Sequence, residues 1–291
     1  VAAIGKLNGF DADTLRSAMG VVYSQLCGTM QAHHEGSVVL AMQVGFNARN
    51  AVIACDMAAD GIVAPADMLE GPYGYYALFE EGHDLAGALG ALGQDWRIAE
   101  VAHKPFPSGR ATHGVIDGLL ALQASKGFAA ADIAHIQARV PPLTHQLVGR
   151  VPQDAMSPNQ ARLCIAFSAA RALQNRGLGV ADFLRAALAD AQTLDLARRI
   201  TVVKDDNPDP NALTPVAFMV GLRDGREFNG SQSIVYGNPK KPMSRSAHLA
   251  KFHANWRAAD LPPANASRLA AMVDDIEAVP DMAELVDLML R

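Results

Sequence analysis

The sequence predicts a mainly α-helical protein with a mixed α+β segment inserted near its middle. Three observations predict this class. Apolar residues recur at helical spacing through the first third of the 291-residue chain. Short strand-like runs and an Asp-Gly hairpin signal occupy the middle. Helical spacing then returns after Met243 and continues to the end of the chain.

The first third is predicted to be helical apart from its turns. Residues 11–27 form a helix that Asp11 or Asp13 caps. Residues 37–59 carry small and apolar side chains around most of the circumference, which is typical of a helix buried on most sides. Shorter helices are expected over 65–69 and 84–92.

The middle of the chain mixes predicted strands and helices. Strands are expected over 96–101, 133–140, 200–204, 216–222 and 227–233, with 143–148 also extended. Asp224-Gly225 joins the last two strands as a hairpin. Helices are expected over 112–125, 157–173, 181–188, 192–197, 244–259, 264–279 and 281–290.

Composition limits the classes of function. Half of the residues are hydrophobic and 19% are charged, so the chain can bury a sizeable core. The net charge is −5 without a basic stripe, which argues against nucleic acid as a partner. No signal peptide or membrane-crossing run is found, so we expect a cytoplasmic protein that does not enter membranes. The initial Val1 indicates a fragment or a processed product.

The cysteines and the known motifs provide further exclusions. Three separate cysteines indicate buried thiols in a reducing compartment. Glycine-rich phosphate loops, dinucleotide fingerprints and the serine-hydrolase elbow are absent from the sequence. His33-His34-Glu35 lacks the second histidine of a zincin, because Val38 stands at that position. We therefore expect no metal and no cofactor. The cysteines are Cys27, Cys55 and Cys164.

One short stretch, His103–His113, combines prolines, cations and a helix start. Pro105 and Pro107 keep the chain out of a helix, so Ser108 and Gly109 can expose backbone N–H groups at the start of the next helix. Such a place can hold a carboxylate; the alternative is a turn whose charges are merely solvated. The other polar residues of the stretch are Lys104, Arg110, Thr112 and His113.

Several motifs together resemble the MmgE/PrpD family, in order and spacing, over nearly the whole chain. That family includes 2-methylcitrate dehydratase, cis-aconitate decarboxylase and an iminodisuccinate epimerase. The motifs are Met30–Gly36, Leu69–Phe79, His103–Asp117, Gly237–Pro239, Pro242–Ser244 and Lys251-Phe252.

The resemblance implies an all-helical domain with a smaller α+β lid inserted near its end. On that basis residues 1–102 belong to the helical domain, 103–240 form the lid, and 241–291 return to the helical domain. The family's proteins are longer at the front, so the chain is expected to lack the opening part of the helical domain. The apolar helices over 11–27 and 37–59 are expected to pack against that part or a partner subunit, and we expect a homodimer.

The resemblance also implies the chemistry. The family's reactions move a proton next to a carboxylate without a metal, so the substrate is expected to be a small di- or tricarboxylate. The candidate catalytic residues are Lys104, His34, His113 and His145. The candidate substrate-binding residues are Gln31, Ser108, Gly109, Arg110 and Thr112.

Each assignment has a structural alternative. Lys104 can be a surface charge at a turn, His34 a core histidine, and His113 a packed capping residue. Two departures, Gln31 for a lysine and Gly109 for a histidine of decarboxylase-like members, argue against a decarboxylase. They leave dehydratase or isomerase/epimerase chemistry, or a different substrate. The second hypothesis is a non-catalytic scaffold or interaction protein that keeps the fold.

Overall fold

The computed structural model describes residues 1–26, 28–80 and 82–290. They form two compact units, Val1–Arg97 and Ile98–Arg291. The first unit is built from helices and turns, and the second carries a small mixed sheet among helices. The predicted fold class, mainly helical with an α+β portion, is confirmed. The division at 102 and 240 stays a prediction, and the prediction for Cys27 lies outside the described residues.

The first unit is organised around the pairing of two helices, α2 and α4. Helix α2 begins as predicted, because the Asp11 carboxylate accepts a hydrogen bond from the Thr14 N–H at 2.8 Å. The small core between the helices contains Ala18, Cys55 and Ala58. The helices are α1 Ala2–Leu7, α2 Ala12–Tyr23, α3 Gln31–Glu35, α4 Val39–Ala59, α5 Tyr75–Phe79 and α6 Leu85–Gly90.

Three predictions for this part of the chain are wrong. Helix α4 is buried on one narrow face only, and Val44 is 73% exposed. Small apolar residues signal burial only where another element covers them. Residues 65–69 form bends and turns and no helix: the Gly71 N–H donates to the Asp67 carbonyl in a single helical turn that is not continued. The predicted strand 96–101 is a 3-10 turn, Arg97–Glu100.

The second unit is organised around a four-stranded sheet in the order β2-β1-β3-β4. Strand β1 pairs parallel with β2 and antiparallel with β3, and β3 continues into β4 as the predicted hairpin. Helices α7 (His113–Lys126) and α10 (Ile165–Asn175) lie on the sheet. The strands confirm the predicted ones to within one residue: β1 Ile133–Val140, β2 Ile200–Lys204, β3 Val216–Leu222 and β4 Glu227–Gln232.

The helices of this unit lie before, between and after the strands. The predicted extended segment 143–148 is wrong: it is helix α8, which begins at Pro142, where proline's missing N–H costs nothing. The predicted helix 157–173 is split at Leu163-Cys164. The helices are α7 His113–Lys126, α8 Pro142–Val148, α9 Pro158–Arg162, α10 Ile165–Asn175, α11 Arg185–Leu188, α12 Ala191–Arg198, α13 Arg245–Ala258, α14 Pro263–Asp274 and α15 Met282–Asp287.

Helix α7 packs closely on the sheet because of two glycines. A methyl group on Gly118 of α7 would lie 2.3 Å from the Phe218 ring, and one on Gly230 of β4 would lie equally close to the same ring. Phe218 of β3 is therefore held between two residues that have no side chain. This packing fixes α7, whose first residue is His113, against the sheet. Among the described helices, none has the length and apolar character that crossing a bilayer requires.

Candidate functional site

The stretch His103–His113 is attached to two later parts of the second unit. The His103 N–H donates to the Gly237 carbonyl at 2.8 Å. The Lys251 ammonium donates to the Lys104 carbonyl at 2.6 Å. The stretch then ends in a 3-10 turn, Arg110–Thr112, that leads directly into α7. The two prolines thus lie between the anchored backbone of His103 and Lys104 and the start of α7.

Two cations of the stretch differ in their surroundings. Lys104 is exposed, and its ammonium lies 3.5 Å from the Ser108 carbonyl, at the outer limit of a hydrogen bond. Arg110 is half-buried, and its Nη1 is buried without a hydrogen-bond partner. Burial lowers the pKa of Arg110, while the Asp117 carboxylate raises it. Both side chains carry charge that the protein compensates only partly.

His113 is fully buried, at 0% exposure, and packs edge-on against Phe106. Neither ring nitrogen has a hydrogen-bond partner. Burial lowers its pKa to about 3, and the cations of Arg110, Lys104 and Lys251 act in the same direction. The Ser108 backbone opposes this shift without reaching the geometry of a full hydrogen bond. His113 is therefore neutral near pH 7.

Ser108, Gly109 and Thr112 form a closed hydrogen-bonded turn. The Ser108 and Thr112 hydroxyls lie 2.7 Å apart, and the Thr112 hydroxyl donates to the Gly109 carbonyl at 2.9 Å. The Gly109 N–H donates to the Arg162 carbonyl at 2.9 Å. The prediction that the Gly109 N–H is exposed to an anion is therefore wrong, because this N–H already donates to the last residue of helix α9.

The remaining predicted residues lie on other elements. His145 is half-buried on α8, which packs against the 3-10 turn Arg110–Thr112. Gln31 and His34 are exposed on α3 of the first unit, and the Gln31 amide donates to Glu35. The structure thus brings Lys104, Arg110, Ser108, Thr112 and His113 together within the second unit, with His145 on an adjacent helix.

Helix α13 contributes cations that sequence reasoning missed. Its Lys251 reaches the Lys104 backbone, and its His248 ring lies edge-on to His103 with centroids 4.7 Å apart. Partial burial lowers the pKa of His248, as do neighbouring His103, Lys251 and Arg245. The Lys251-Phe252 motif drew attention to this helix. It did not predict that Lys251 contacts Lys104, which lies 147 residues earlier in the chain.

A cavity of about 310 Å³ opens beside Arg110. Its lining mixes polar and aliphatic side chains and includes a second cation, Lys240, with no acidic residue among the lining residues. A pocket of this size and charge can accept a small anion. The polar lining residues are Arg110, Thr214, Ser233, Asn238 and Lys240.

A larger cavity of the same unit, about 640 Å³, has a different charge balance. Its Arg171 is paired with Asp182 and Asp190, and its Arg199 with Asp195. Carboxylates neutralise these two guanidinium groups, and the Nε of the third arginine of the lining, Arg223, donates to the Ala131 carbonyl. We therefore take the smaller cavity near Arg110 as the better anion site. Within the described residues, no cluster of His, Cys, Asp or Glu is arranged to hold a metal ion.

Comparison with known proteins gives consistent matches. Residues 1–88 match the MmgE/PrpD N-terminal domain, and residues 106–278 match the MmgE/PrpD C-terminal domain. A cis-aconitate decarboxylase of Aspergillus terreus is 24% identical over 301 residues, covering 98% of this chain and 58% of that protein. Cis-aconitate decarboxylase of Mus musculus is also 24% identical, over 266 residues, covering 87% of this chain and 52% of that protein.

A shorter match reaches higher identity. The cis-aconitate decarboxylase-like protein oryM of Aspergillus oryzae is 31% identical over 129 residues, which is 42% of this chain and 27% of that protein. The chain therefore spans little more than half of the two decarboxylases described above. Because the C-terminal domain match alone covers more than half of the sequence, the chain belongs to the MmgE/PrpD family.

Proposed function

We propose that this chain acts in a cofactor-independent lyase or isomerase that moves a proton next to a carboxylate of a small di- or tricarboxylate. The observation that carries the proposal is the group formed by Lys104, Arg110 and Lys251: the Lys251 ammonium contacts the Lys104 carbonyl at 2.6 Å, Arg110 lines the small cavity, and all three cations lower the pKa of His113. Such a concentration of positive charge in a chain of net charge −5 is suited to a polyanionic metabolite.

Cations serve this chemistry in a direct way. Removing a proton beside a carboxylate places a second negative charge next to the first, and that species is unstable in the absence of facing cations. Lys104 has the exposed ammonium that this role needs, and Arg110 can hold a second carboxylate in the cavity that Arg110, but not Lys104, lines. His34 and His145 are the candidates for carrying the proton.

His113 takes a different part in this proposal. A fully buried, neutral imidazole cannot supply the charge that holds a carboxylate. We assign it to the floor of the site, where Ser108 and Thr112 shape the turn above it. The half-buried Arg110 is then less screened than it would be in water.

The residues at positions 31 and 109 indicate the type of reaction. The curated relatives are named as cis-aconitate decarboxylases. Gln31 and Gly109 replace a lysine and a histidine that resemblance assigns to decarboxylase-like members. The loss of one cation and one acid favours dehydration or isomerisation over loss of CO₂. The same proposal includes a cytoplasmic homodimer.

The proposal is tested by NMR in deuterated water. The measured quantity is the rate at which the protein catalyses exchange of carbon-bound hydrogen for deuterium in citrate, 2-methylcitrate and aconitate. Exchange with one of these acids is expected, and Lys104→Met should lower its rate by about 10²–10³-fold, as the loss of a charge-stabilising group does. The matched control is Lys204→Met, because Lys204 is an exposed lysine at the end of β2. Wild-type exchange by Lys104→Met would refute the assignment.

The scaffold hypothesis gives the opposite result in a binding experiment. An acid present at a hundred times its dissociation constant stabilises the folded state by about 2.7 kcal/mol, which a thermal shift detects. If none of the three acids raises the melting temperature of the wild type, the non-catalytic scaffold is favoured.

A further inference from the structure

We propose that Gly237 and Lys251 are positioning residues for Lys104: together they fix its backbone so that its ammonium faces the substrate. The inference rests on the proposed function, since it assumes that Lys104 takes part in the reaction. Gly237 has no side chain that could touch the substrate. Lys251 is also one of the three cations of the site, but the positioning role requires only its hydrogen bond to the Lys104 carbonyl. Both act on the peptide groups of His103 and Lys104, immediately before the first proline of the stretch.

Gly237 holds the His103 peptide by close backbone approach. Its carbonyl accepts the His103 N–H at 2.8 Å. Its φ angle is +88°, and a methyl group at this position would lie 2.2 Å from the His103 carbonyl oxygen. Only glycine satisfies both the backbone conformation and the space. A larger residue has to push His103 and Lys104 away from the turn.

Lys251 holds the next peptide from another direction. Its ammonium donates to the Lys104 carbonyl at 2.6 Å from helix α13. The side chain is half-buried, so this contact is partly shielded from water. A charged donor makes a stronger hydrogen bond to a carbonyl than a neutral one does. Lys104 is therefore attached to α13 by its backbone, which leaves its own side chain free.

The turn that carries Gly237 is itself anchored on α7. The Asp117 carboxylate accepts from the Lys241 ammonium at 2.8 Å, from the Tyr236 N–H at 3.3 Å and from the Gln232 amide. The Gly237 N–H in turn donates to the Lys241 carbonyl at 2.9 Å. Since α7 is packed on the sheet, the Gly237 turn has a fixed position relative to the start of α7.

In this arrangement the backbone of Lys104 is fixed, while its ammonium group can still bind a substrate. Among the described residues, the Lys104 ammonium makes one hydrogen bond, at 3.5 Å to the Ser108 carbonyl, which a substrate carboxylate can replace at little cost. Catalytic groups held in place before the substrate binds avoid paying for their ordering during the reaction. Loss of the backbone anchors should therefore lower kcat more than it changes KM.

The first test compares two glycines in the full chain, with the deuterium-exchange assay as readout. Gly237 and Gly225 have φ angles of +88° and +89°, but a methyl group on Gly225 has nothing within 4 Å. Both alanine variants carry the same backbone strain, and only Gly237→Ala displaces His103. We expect Gly237→Ala to lower kcat by about 10²-fold, with Gly225→Ala within twofold of wild type.

The second test replaces the lysine and does not depend on a strained backbone. Lys251→Met should lower kcat at least tenfold with a small change in KM, and Lys251→Arg should restore most of the rate, because a guanidinium also donates to a carbonyl. Lys204→Met is again the control. Amide exchange at His103 should be faster in Gly237→Ala than in Gly225→Ala, which reports the anchor without reference to activity.

The outcomes separate the two proposals. If Lys104→Met is inactive while Gly237→Ala and Lys251→Met keep the wild-type kcat, the positioning role is overturned and the proposed function stands. If Lys251→Arg is as poor as Lys251→Met although both fold, the hydrogen bond to the Lys104 carbonyl is not the cause. If Lys104→Met keeps the wild-type rate, the proposed function fails, and the positioning role fails with it.

Discussion

His113 shows how far a single residue departs from its ordinary chemistry. An imidazole in water is protonated about half of the time near pH 6.5. Here the ring is enclosed between Phe106 and a turn, without a partner at either nitrogen and near three cations. Each of these conditions disfavours the protonated form of the imidazole, and so the ring stays neutral over the physiological pH range.

This burial makes the stability of the protein depend on pH. The pKa of His113 is about 3 in the folded chain, below its usual value of 6.5. Between these values the unfolded chain binds more protons, so the free energy of unfolding should fall as the pH drops from 6.5, by up to about 1.4 kcal/mol per pH unit. The stabilisation is fully present above 6.5. Urea unfolding at pH 4.5, 5.5 and 7 measures it.

The substitution His113→Leu should flatten that dependence. Since neither nitrogen is hydrogen-bonded, an apolar side chain removes an unsatisfied polar group, and we expect the variant to be as stable as wild type or about 1 kcal/mol more stable at pH 7. A loss of 2 kcal/mol or more at pH 7 would show that the ring is held by polar contacts after all.

At the scale of elements, the packing of α7 on the sheet depends on the absence of a side chain at Gly118. Alanine is normally better than glycine within a helix by about 1 kcal/mol. At Gly118 the added methyl group would meet the Phe218 ring at 2.3 Å. The ring cannot retreat, because Gly230 borders its other side equally closely. Overpacking should therefore exceed the gain in helix propensity.

The matched substitution lies in α4, where a methyl group on Gly45 has nothing within 4 Å. Gly118→Ala should destabilise the protein by about 1–3 kcal/mol, whereas Gly45→Ala should stabilise it by up to about 1 kcal/mol. Chemical denaturation of both variants checks the pair. An equal change in the free energy of unfolding for both variants would mean that helix propensity alone determines the effect of the methyl group and that the packing around Phe218 is loose.

Local sequence signals predicted elements well where one face of each is buried. Strands β1 and β2 were predicted with their observed bounds, because their alternation or β-branched content matches their burial. Helix α8 was mistaken for a strand, because a Pro-Pro pair can end one element or begin another. The contact of Lys251 with Lys104 joins residues 147 positions apart, and no local spacing reveals it.

At the scale of the whole molecule, overall charge and local charge have opposite signs. The chain carries a formal net charge of −5, yet Lys104, Arg110 and Lys251 act together on one buried ring. Long-range repulsion of an anion by the surface and short-range attraction by these cations respond differently to salt. Salt screens both effects. Because the three cations lie at the site itself and the acidic groups are spread over the rest of the chain, we expect the loss of attraction to be the larger effect.

Binding of tricarballylate should therefore weaken with ionic strength. The Debye length shrinks from about 30 Å at 0.01 M salt to about 8 Å at 0.15 M, so the affinity of this trianion should fall several-fold between these conditions. Titration calorimetry at both concentrations measures the change. The neutral trimethyl ester serves as the control, and an affinity for tricarballylate that is independent of salt would exclude charge as the source of binding.

The parallel pairing of β1 with β2 has a consequence for how the chain is made. Residues 141–199 lie between the two strands, and β3 comes later still, although β1 lies between β2 and β3 in the sheet. On a ribosome that adds 5–20 residues per second, β1 waits about 3–12 s after its own synthesis before β2 exists. During that interval both of its edges can pair with other nascent chains. Slower translation should increase aggregation of the newborn protein.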